Sequence, residues 1–317
     1  MSILCENCKT KRAVFLRPKN GSKVCKECFI ELFEEEVHET IQKFQMFEPK
    51  EKIGIGASGG KDSTALIHVL TKLKEKYKYE NDFVLISIDE GIHGYRDDSL
   101  ETVKRNQLFY NLPLEIVSFK DLFGWSLDDI ILNLGPSNSC SYCGILRRQA
   151  LDLAAQKISV KKLATGHNAN DAAETVLLNF LRGDSVRISR SSEFIINDQN
   201  DFKRCKPFIY AYQKEIVAYA YFNKLDYFST ECPYAVNALR GKPRIFLNDL
   251  ERVHPSGIID IIDSGQLFAL PDSSIKPKIQ KCQKCGAVSS QNLCQACILL
   301  EKLNKSKPKI EIEIEKK

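Results

Sequence analysis

Between the apolar run Lys52-Ile53-Gly54-Ile55-Gly56-Ala57 and the stretch Thr64–Leu70, the chain carries Ser58-Gly59-Gly60-Lys61-Asp62-Ser63. The run has the length of a buried strand, and Thr64–Leu70 has the spacing of an amphipathic helix. A strand, a glycine-rich turn and a helix together aim backbone N–H groups and a positive helix terminus at an anion. Two consecutive glycines let the main chain approach that anion without a Cβ in the way. Lys61 adds a point charge, and Ser58 and Ser63 add hydroxyls. The G-x-x-x-x-G-K-[ST] nucleotide loop is not met, because position 55 is Ile and Asp62 follows the lysine.

From 51 to about 245 strand and helix patterns alternate. Strands are expected at Ile53–Ala57, 83–89, Leu114–Phe119, 162–166 and Cys205–Ile209. Helices are expected at Asp62–Tyr77, 95–111, Ser141–Ala155, 169–182 and 213–223. This alternation implies an α/β fold, a parallel sheet with helices on both faces. Ligands in such sheets bind at the carboxyl ends of strands, near a topological switch point. The phosphate loop, Asp89-Glu90-Gly91 and Gly166-His167-Asn168 all lie at strand ends and should converge there.

The 317 residues suggest two domains, and the apolar and charged fractions, 43% and 27%, are those of a globular protein. No apolar stretch approaches the ~20 residues of a membrane span. The start, Met1–Cys5, has no charged segment leading into an apolar one, so a cytoplasmic placement is expected. A net charge of +5 is mild. The local clusters Arg182-Arg187-Arg190, Lys203-Arg204-Lys206, Arg240-Lys242-Arg244 and Lys9-Lys11-Arg12-Arg17-Lys19 are compatible with a phosphate backbone as partner, although such clusters are commonly plain solvated surface.

Ten of the twelve cysteines fall in C-x-x-C pairs. Cys5, Cys8, Cys25 and Cys28 match a four-cysteine zinc pattern, in a segment too short to fold without metal. Cys282, Cys285, Cys294 and Cys297 form a second such unit. Residues 29–47 read as an acidic amphipathic helix ended by Pro49, and 250–280 are poorly patterned. Lys305–Lys317 alternates charged residues with isoleucine, as a tail or a late strand. Cys140 and Cys143 open a predicted helix, where three readings stay open: a zinc half-site, a redox dithiol, and ligands of an iron–sulfur cluster. Cys232 is followed by Pro233, as in ferredoxin motifs. Cys205 lies in an expected core strand, where a free cysteine behaves as a small hydrophobe.

The hexapeptide 58–63 resembles the pyrophosphate (PP) loop of the ATP pyrophosphatases, which split ATP between its α and β phosphates and adenylate a substrate. Ser87–Ile92, Cys140–Arg148, Gly166–Asn168 through Arg182–Asp184, Glu231–Tyr234 and both cysteine units extend the likeness. Over nearly its whole length the chain resembles the TtcA/TtuA group of tRNA 2-thiolation enzymes. Within it, the chain is most similar to the archaeal and eukaryotic cytosolic members with a zinc ribbon at each end.

The resemblance implies a zinc ribbon over 1–30, a linker helix over 31–49, and a PP-loop ATP pyrophosphatase domain over 50–245. A connector over 246–280, a second ribbon over 281–300 and a tail over 301–317 complete the expected organisation. It implies an ATP-dependent tRNA-uridine 2-sulfurtransferase that adenylates the C2 oxygen and replaces it by sulfur. The expected target is wobble uridine 34 of lysine, glutamate and glutamine tRNAs; uridine 54 and a non-thiolating tRNA-adenylating enzyme are the alternatives. Ala57, Ser58, Gly59, Gly60, Lys61, Asp62, Ser63, Ile88, Asp89, Gly166 and His167 are expected to bind ATP with Mg²⁺. Cys140, Cys143 and Cys232 are expected to hold a [4Fe-4S] cluster, with persulfide chemistry as the rival. Asp171 is expected to be catalytic, against a helix-start carboxylate that merely complements the dipole. Arg147 stands where some members carry a catalytic lysine. Partners expected on the same ground are tRNA, a donor (sulfide or a ubiquitin-like thiocarboxylate protein), and a second copy of the chain.

Overall fold

A sheet whose strands are apolar on both sides must be covered on both faces, and this requirement shapes the molecule. The computed structural model describes residues 3–184, 187–188, 195–197, 202–235, 239–267 and 280–305. The expected tail from 306 onward, Arg190, and residues 268–279 of the expected connector lie outside them.

The chain opens with an antiparallel pair, β1 (Phe15–Leu16) and β2 (Lys23–Val24), which leads into α1 (Lys26–Lys43). Phe29, Phe33, Val37 and Ile41 recur every fourth residue and are buried. Phe33 stacks on Tyr219 with ring centroids 4.7 Å apart, and Phe29 meets Phe15 at 4.6 Å. Arg17, almost wholly buried, donates to both Glu36 oxygens and to Glu215 Oε1 at 2.7–2.8 Å. A guanidinium can sit there because carboxylates compensate it on two sides. The helix stops at Lys43, short of the expected 47.

Next come β3 (Lys52–Gly56), α2 (Lys61–Tyr77), β4 (Asp82–Asp89), α3 (Arg96–Tyr110) and β5 (Leu114–Ser118). Two short helices follow, α4 (Phe119–Phe123) and α5 (Leu127–Leu134), then α6 (Ser139–Lys157), β6 (Lys162–Ala164) and α7 (Ala169–Leu181). β7 (Ile195–Asn197), β8 (Lys203–Cys205) and α8 (Gln213–Phe222) complete this part. The sheet order is β5-β4-β3-β6-β8-β7, parallel throughout except for β7. Because β4 and β5 lie on one side of β3 and β6 on the other, the connection reverses direction at β3. That reversal opens a crevice at the carboxyl ends of β3 and β6. In β4, Phe83 and Leu85 join the core under α1 and α2, whereas Val84, Ile86 and Ile88 join the core under α6.

Two expectations shift. The fifth strand was expected at Cys205–Ile209 but runs over Lys203–Cys205. Phe208 and Ile209 are buried in a turn, so their apolarity reflects packing and not a ladder. The segment 250–280, poorly patterned in the sequence, contains the end of α9 (Gly241–Val253) and all of α10 (Gly257–Leu267), which pack on α7 through Leu247, Ile258 and Ile262. The chain's far end forms a pair, β9 (Gln280–Lys281) with β10 (Val288–Ser289), and α11 (Gln295–Lys305). Cys282, Cys294, Cys297, Leu299 and Leu303 share one core with Leu146, Ala150 and Ala154 of α6, and Trp125 Nε1 donates to Asn304 Oδ1 at 3.0 Å. Among the described residues no helix is long and apolar enough to cross a membrane.

Candidate active site and metal centres

The loop after β3 is shaped before any ligand arrives. Ser63 Oγ donates to Gly60 O at 2.9 Å and receives Ser58 N at 3.2 Å, which folds the turn back on the helix start. Gly59 has φ +79°, and a Cβ there would lie 2.4 Å from Ser99 O, so only glycine fits. Gly60 caps α2 without a side-chain hydrogen bond, which leaves the first N–H groups of the helix facing the crevice. A Cβ on Gly166 would sit 2.9 Å from Asp62 O, so the β6 end and the loop are in contact.

A cavity of about 340 Å³ opens above this loop. It is lined by Ser58, Gly60, Lys61 and Asp62, and also by Glu90, Arg96, Arg147, Tyr95 and Phe228. Lys61 Nζ lies 3.6 Å from Asp62 Oδ1, an oxygen that is buried and accepts no hydrogen bond. Burial raises the Asp62 pKa, Lys61 opposes the rise and Asp171 adds to it. A carboxylate oxygen that is buried without a donor fits a divalent cation held beside a polyphosphate.

The expected nucleotide residues divide. Ser58, Gly60, Lys61 and Asp62 line the cavity. Ala57 and Ile88 are buried in or beside the sheet, and Asp89 Oδ1 accepts Gly91 N at 2.9 Å. Gly59, Ser63 and Gly166 build the loop and do not line it. His167 is exposed and pairs with Thr165 Oγ1 at 2.9 Å. Asp171 sits in a capping box: its N–H reaches Asn168 Oδ1 at 3.0 Å while its Oδ2 accepts Asn168 N at 3.2 Å. The other oxygen, Oδ1, lies 3.9 Å from Arg240 Nη1. The helix-start role is thus present, with one oxygen left over.

Cys140 and Cys143 stand on one face of the first two turns of α6, which starts at Ser139, two residues earlier than expected. Cys143 is buried, and shares a small apolar cluster with Ile92, Leu127, Tyr95, Tyr142, Tyr234 and Cys232. Cys140 Sγ is 3.8 Å from the carbonyl of Tyr234, two residues past Cys232. Tyr234 is tied down in turn, its Oη donating to Asp128 Oδ1 at 2.6 Å. Arg147 Nη2 donates to Cys143 Sγ at 3.3 Å, and Arg147 Nε pairs with Glu90 Oε1 at 2.8 Å. Burial pushes the Cys143 thiol up to about 11, against the pull of Arg147, and burial also raises Cys232. Metal binding would therefore release protons here.

The cysteine groups differ in spacing. Four sulfurs around one zinc at ~2.3 Å lie about 3.8 Å apart. Cys8 Sγ–Cys25 Sγ is 3.9 Å and Cys285 Sγ–Cys294 Sγ is 3.6 Å, and all four sulfurs in each terminal set are within 4.8 Å of one another. Each set fits a single zinc. Cys140, Cys143 and Cys232 do not all meet that spacing. Cys205 is remote from them, fully buried with Sγ 3.7 Å from Met46 O.

Glu90, expected at the converging strand ends as part of Asp89-Glu90-Gly91, and Arg96, which the sequence did not single out, both line the cavity and are nearly inaccessible. Phe228, also unforeseen, pairs with the loop across a parallel bridge to Gly60. The signal for Glu90 was its place directly after Asp89 at a strand end; Arg96 had none. Basic residues of the expected clusters are partly engaged by the protein: Arg240 and Arg244 pair with buried Glu174, and Arg204 with Asp152.

Comparison with known proteins agrees with this architecture. The PP-loop domain family matches residues 33–247, and a zinc-ribbon family matches 280–311. The chain is 54% identical to cytoplasmic tRNA 2-thiolation protein 1 of Xenopus laevis over 312 residues, covering 98% of this chain and 92% of that protein. The Arabidopsis thaliana protein of that name is 54% identical over 311 residues, covering 98% and 88%. Among solved structures, the U34-tRNA thiolase NcsA from Methanococcus maripaludis with its [4Fe-4S] cluster superimposes with a TM-score of 0.82 at 28% identity, covering 96% of this chain and 97% of that one. With its phosphate loop, its three grouped cysteines and its two four-cysteine ends, the chain belongs to the cytoplasmic tRNA 2-thiolation protein 1 family.

Proposed function

We propose that this chain replaces the C2 oxygen of a tRNA uridine with sulfur in an ATP-dependent reaction, at wobble position 34 of lysine, glutamate and glutamine tRNAs. The relatives' names support tRNA 2-thiolation in the cytoplasm, and the M. maripaludis thiolase supports uridine 34 and a [4Fe-4S] cluster. The observation that carries the reading is a single cavity lined both by the phosphate loop and by an arginine bonded to Cys143.

Oxide leaves badly, so the C2 oxygen must be activated first. Attack of that oxygen on the α phosphorus of ATP releases pyrophosphate and gives an adenylated uridine. Sulfide then adds at C2, and the C–O bond breaks with its electron pair carried away on AMP. No net oxidation occurs. Helix N–H groups, Gly60 and Lys61 hold the β and γ phosphates as charge builds on the departing pyrophosphate. Asp62 and the remaining oxygen of Asp171 hold Mg²⁺. Cys140, Cys143 and Cys232 hold the cluster, and Arg147 offsets the charge of their thiolates. When bound, such a cluster would supply Lewis-acidic iron able to take up sulfide beside these residues. The two terminal cysteine sets hold structural zinc, and tRNA is gripped mainly through its phosphates. Sulfide or a thiocarboxylate protein is the donor, and the chain works as a homodimer.

The test is an anaerobic reaction of the iron-loaded chain with unmodified lysine tRNA, MgATP and sulfide. One AMP and one pyrophosphate should appear per 2-thiouridine, located at position 34 by nuclease mapping. Thiolation at 54, or AMP without thiouridine, would replace this reading by one of its alternatives.

A further inference from the structure

Glu90 joins the two halves of the cavity. Its Oε2 pairs with Arg96 Nε at 3.1 Å and its Oε1 with Arg147 Nε at 2.8 Å, and its side chain is 5% exposed. Arg96, itself buried, spends its other nitrogens on the loop wall: Nη1 donates to Ser58 O at 3.0 Å and Ser99 Oγ at 2.7 Å, and Nη2 to Ser87 Oγ at 2.6 Å. Arg147 spends Nη2 on Cys143 Sγ at 3.3 Å. A continuous set of contacts therefore runs from the phosphate loop through Ser58, Arg96, Glu90 and Arg147 to the thiol.

We propose that Glu90 is a positioning residue that couples nucleotide binding at the loop to the state of the cysteine site. The inference rests on the reading of those two sites given above. Both ends of the relay receive negative charge in use, phosphate at one and thiolate at the other, and the two guanidiniums share one buried carboxylate between them. Arg147 touches both Cys143 Sγ and Glu90 Oε1, so when it is drawn toward the cysteine site Glu90 is left more fully to Arg96, and Arg96 holds the loop carbonyl. The carboxylate transmits this because Glu90 and Arg96 are both buried and neither can be left uncompensated, whereas Arg147, half-exposed, is free to lean either way. A glutamine would keep one acceptor oxygen but set an NH₂ donor against the other guanidinium, without charge, so it cannot serve both arginines.

The experiment is a binding cycle on the full chain, purified anaerobically, with Mg²⁺-bound α,β-methylene-ATP as the probe, since its α–β bridge cannot be cleaved. Affinity is measured by calorimetry for the iron-loaded chain and for Cys232→Ala, each with and without Glu90→Gln. In the Glu90 background the two forms should differ about fivefold or more, the lower range of a coupled pair of sites. With Glu90→Gln the difference should fall below about twofold, with iron content unchanged in the chain that retains Cys232. A difference that survives Glu90→Gln overturns the proposal. Arg96→Lys, which keeps the charge but cannot reach Ser58, Ser87 and Ser99 together, should also abolish the difference, and serves if Glu90→Gln does not fold.

If the purified chain contains no iron, the cluster reading fails, and the relay is then read on the thiol alone. The rate of Cys143 alkylation by iodoacetamide, followed by peptide mass spectrometry, should change about threefold or more on adding the probe, a coupling of the same order. Glu90→Gln should remove that response. An alkylation rate indifferent to nucleotide in the unaltered chain overturns the proposal.

Discussion

Phe228 donates its backbone N–H to the carbonyl oxygen of Gly59 at 2.8 Å, so the segment that ends at Cys232 begins as a neighbour of the phosphate loop. Phe228→Pro removes that donor, and α,β-methylene-ATP affinity should fall about 2–10-fold, the value of one hydrogen bond. Bound iron should fall as well, since Cys232 loses its anchor. Phe228→Leu keeps the N–H and should stay within about twofold in a calorimetric titration. Equal losses in both variants would assign the effect to the ring and not to the bond.

Gly59→Ala forces a Cβ against Ser99 O in a left-handed conformation. The cost should be about 1–3 kcal/mol. Thermal unfolding should report it as a drop of several degrees. Nucleotide binding should be lost more completely than stability, because the clash distorts the turn itself.

Cys232→Ala and Cys140→Ala should lose iron while retaining zinc, whereas Cys205→Ala should keep both. Cys205 packs in the core beside Met46 and faces none of the grouped thiols. Elemental analysis of anaerobic protein decides this. Iron retained in Cys232→Ala but absent in Cys205→Ala would reverse the ligand assignment.

Arg17→Ala leaves Glu215 buried beside no cation, and burial already raises the Glu215 pKa. Loss of about 3–5 kcal/mol is expected from breaking a buried pair. Urea unfolding should show a lower midpoint with an unchanged slope. Arg17→Ala combined with Glu215→Met should recover much of the loss, since no charge is then stranded.

His68 lies against Tyr110 and Tyr219, its Nδ1 2.9 Å from Tyr110 Oη. Burial lowers its pKa to about 4, and Lys72 adds to the effect. The sign follows directly. As pH falls through 6.5, the unfolded chain takes a proton that the folded one refuses down to about 4, so stability is lost across that window. The loss should reach at most about 3 kcal/mol, and His68→Gln should flatten the pH dependence of urea unfolding between pH 6.5 and 4 relative to the parent chain.

The part of this architecture visible in the sequence is local. The phosphate loop announces itself because strand, glycines and lysine are contiguous, and the terminal four-cysteine sets because each half-site spans four residues. The cysteine site was legible only by likeness to relatives, since nothing in residues 140–143 says that 232 lies nearby. Glu90 was legible only as part of a strand end, and Arg96 escaped notice, because their importance lies in a shared ion pair and a buried charge looks like a surface charge in a sequence. The helices over 241–267 escaped for a similar reason: Glu251 is buried there, so the apolar stripe is interrupted by a charge that finds its partner in Lys214. The misplaced fifth strand shows the opposite error, apolar residues 208 and 209 filling a turn.

Leu146, Ala150 and Ala154 of α6 pack against the carboxyl-terminal four-cysteine unit, while its first turns present Cys140, Cys143 and Arg147. Val84, Ile86 and Ile88 of β4 share that same core, so the helix is held from the sheet and from the terminal unit together. Loosening the terminal unit would take away one of these two supports and let α6 shift over the sheet, displacing residues 140 and 143 without unfolding the chain.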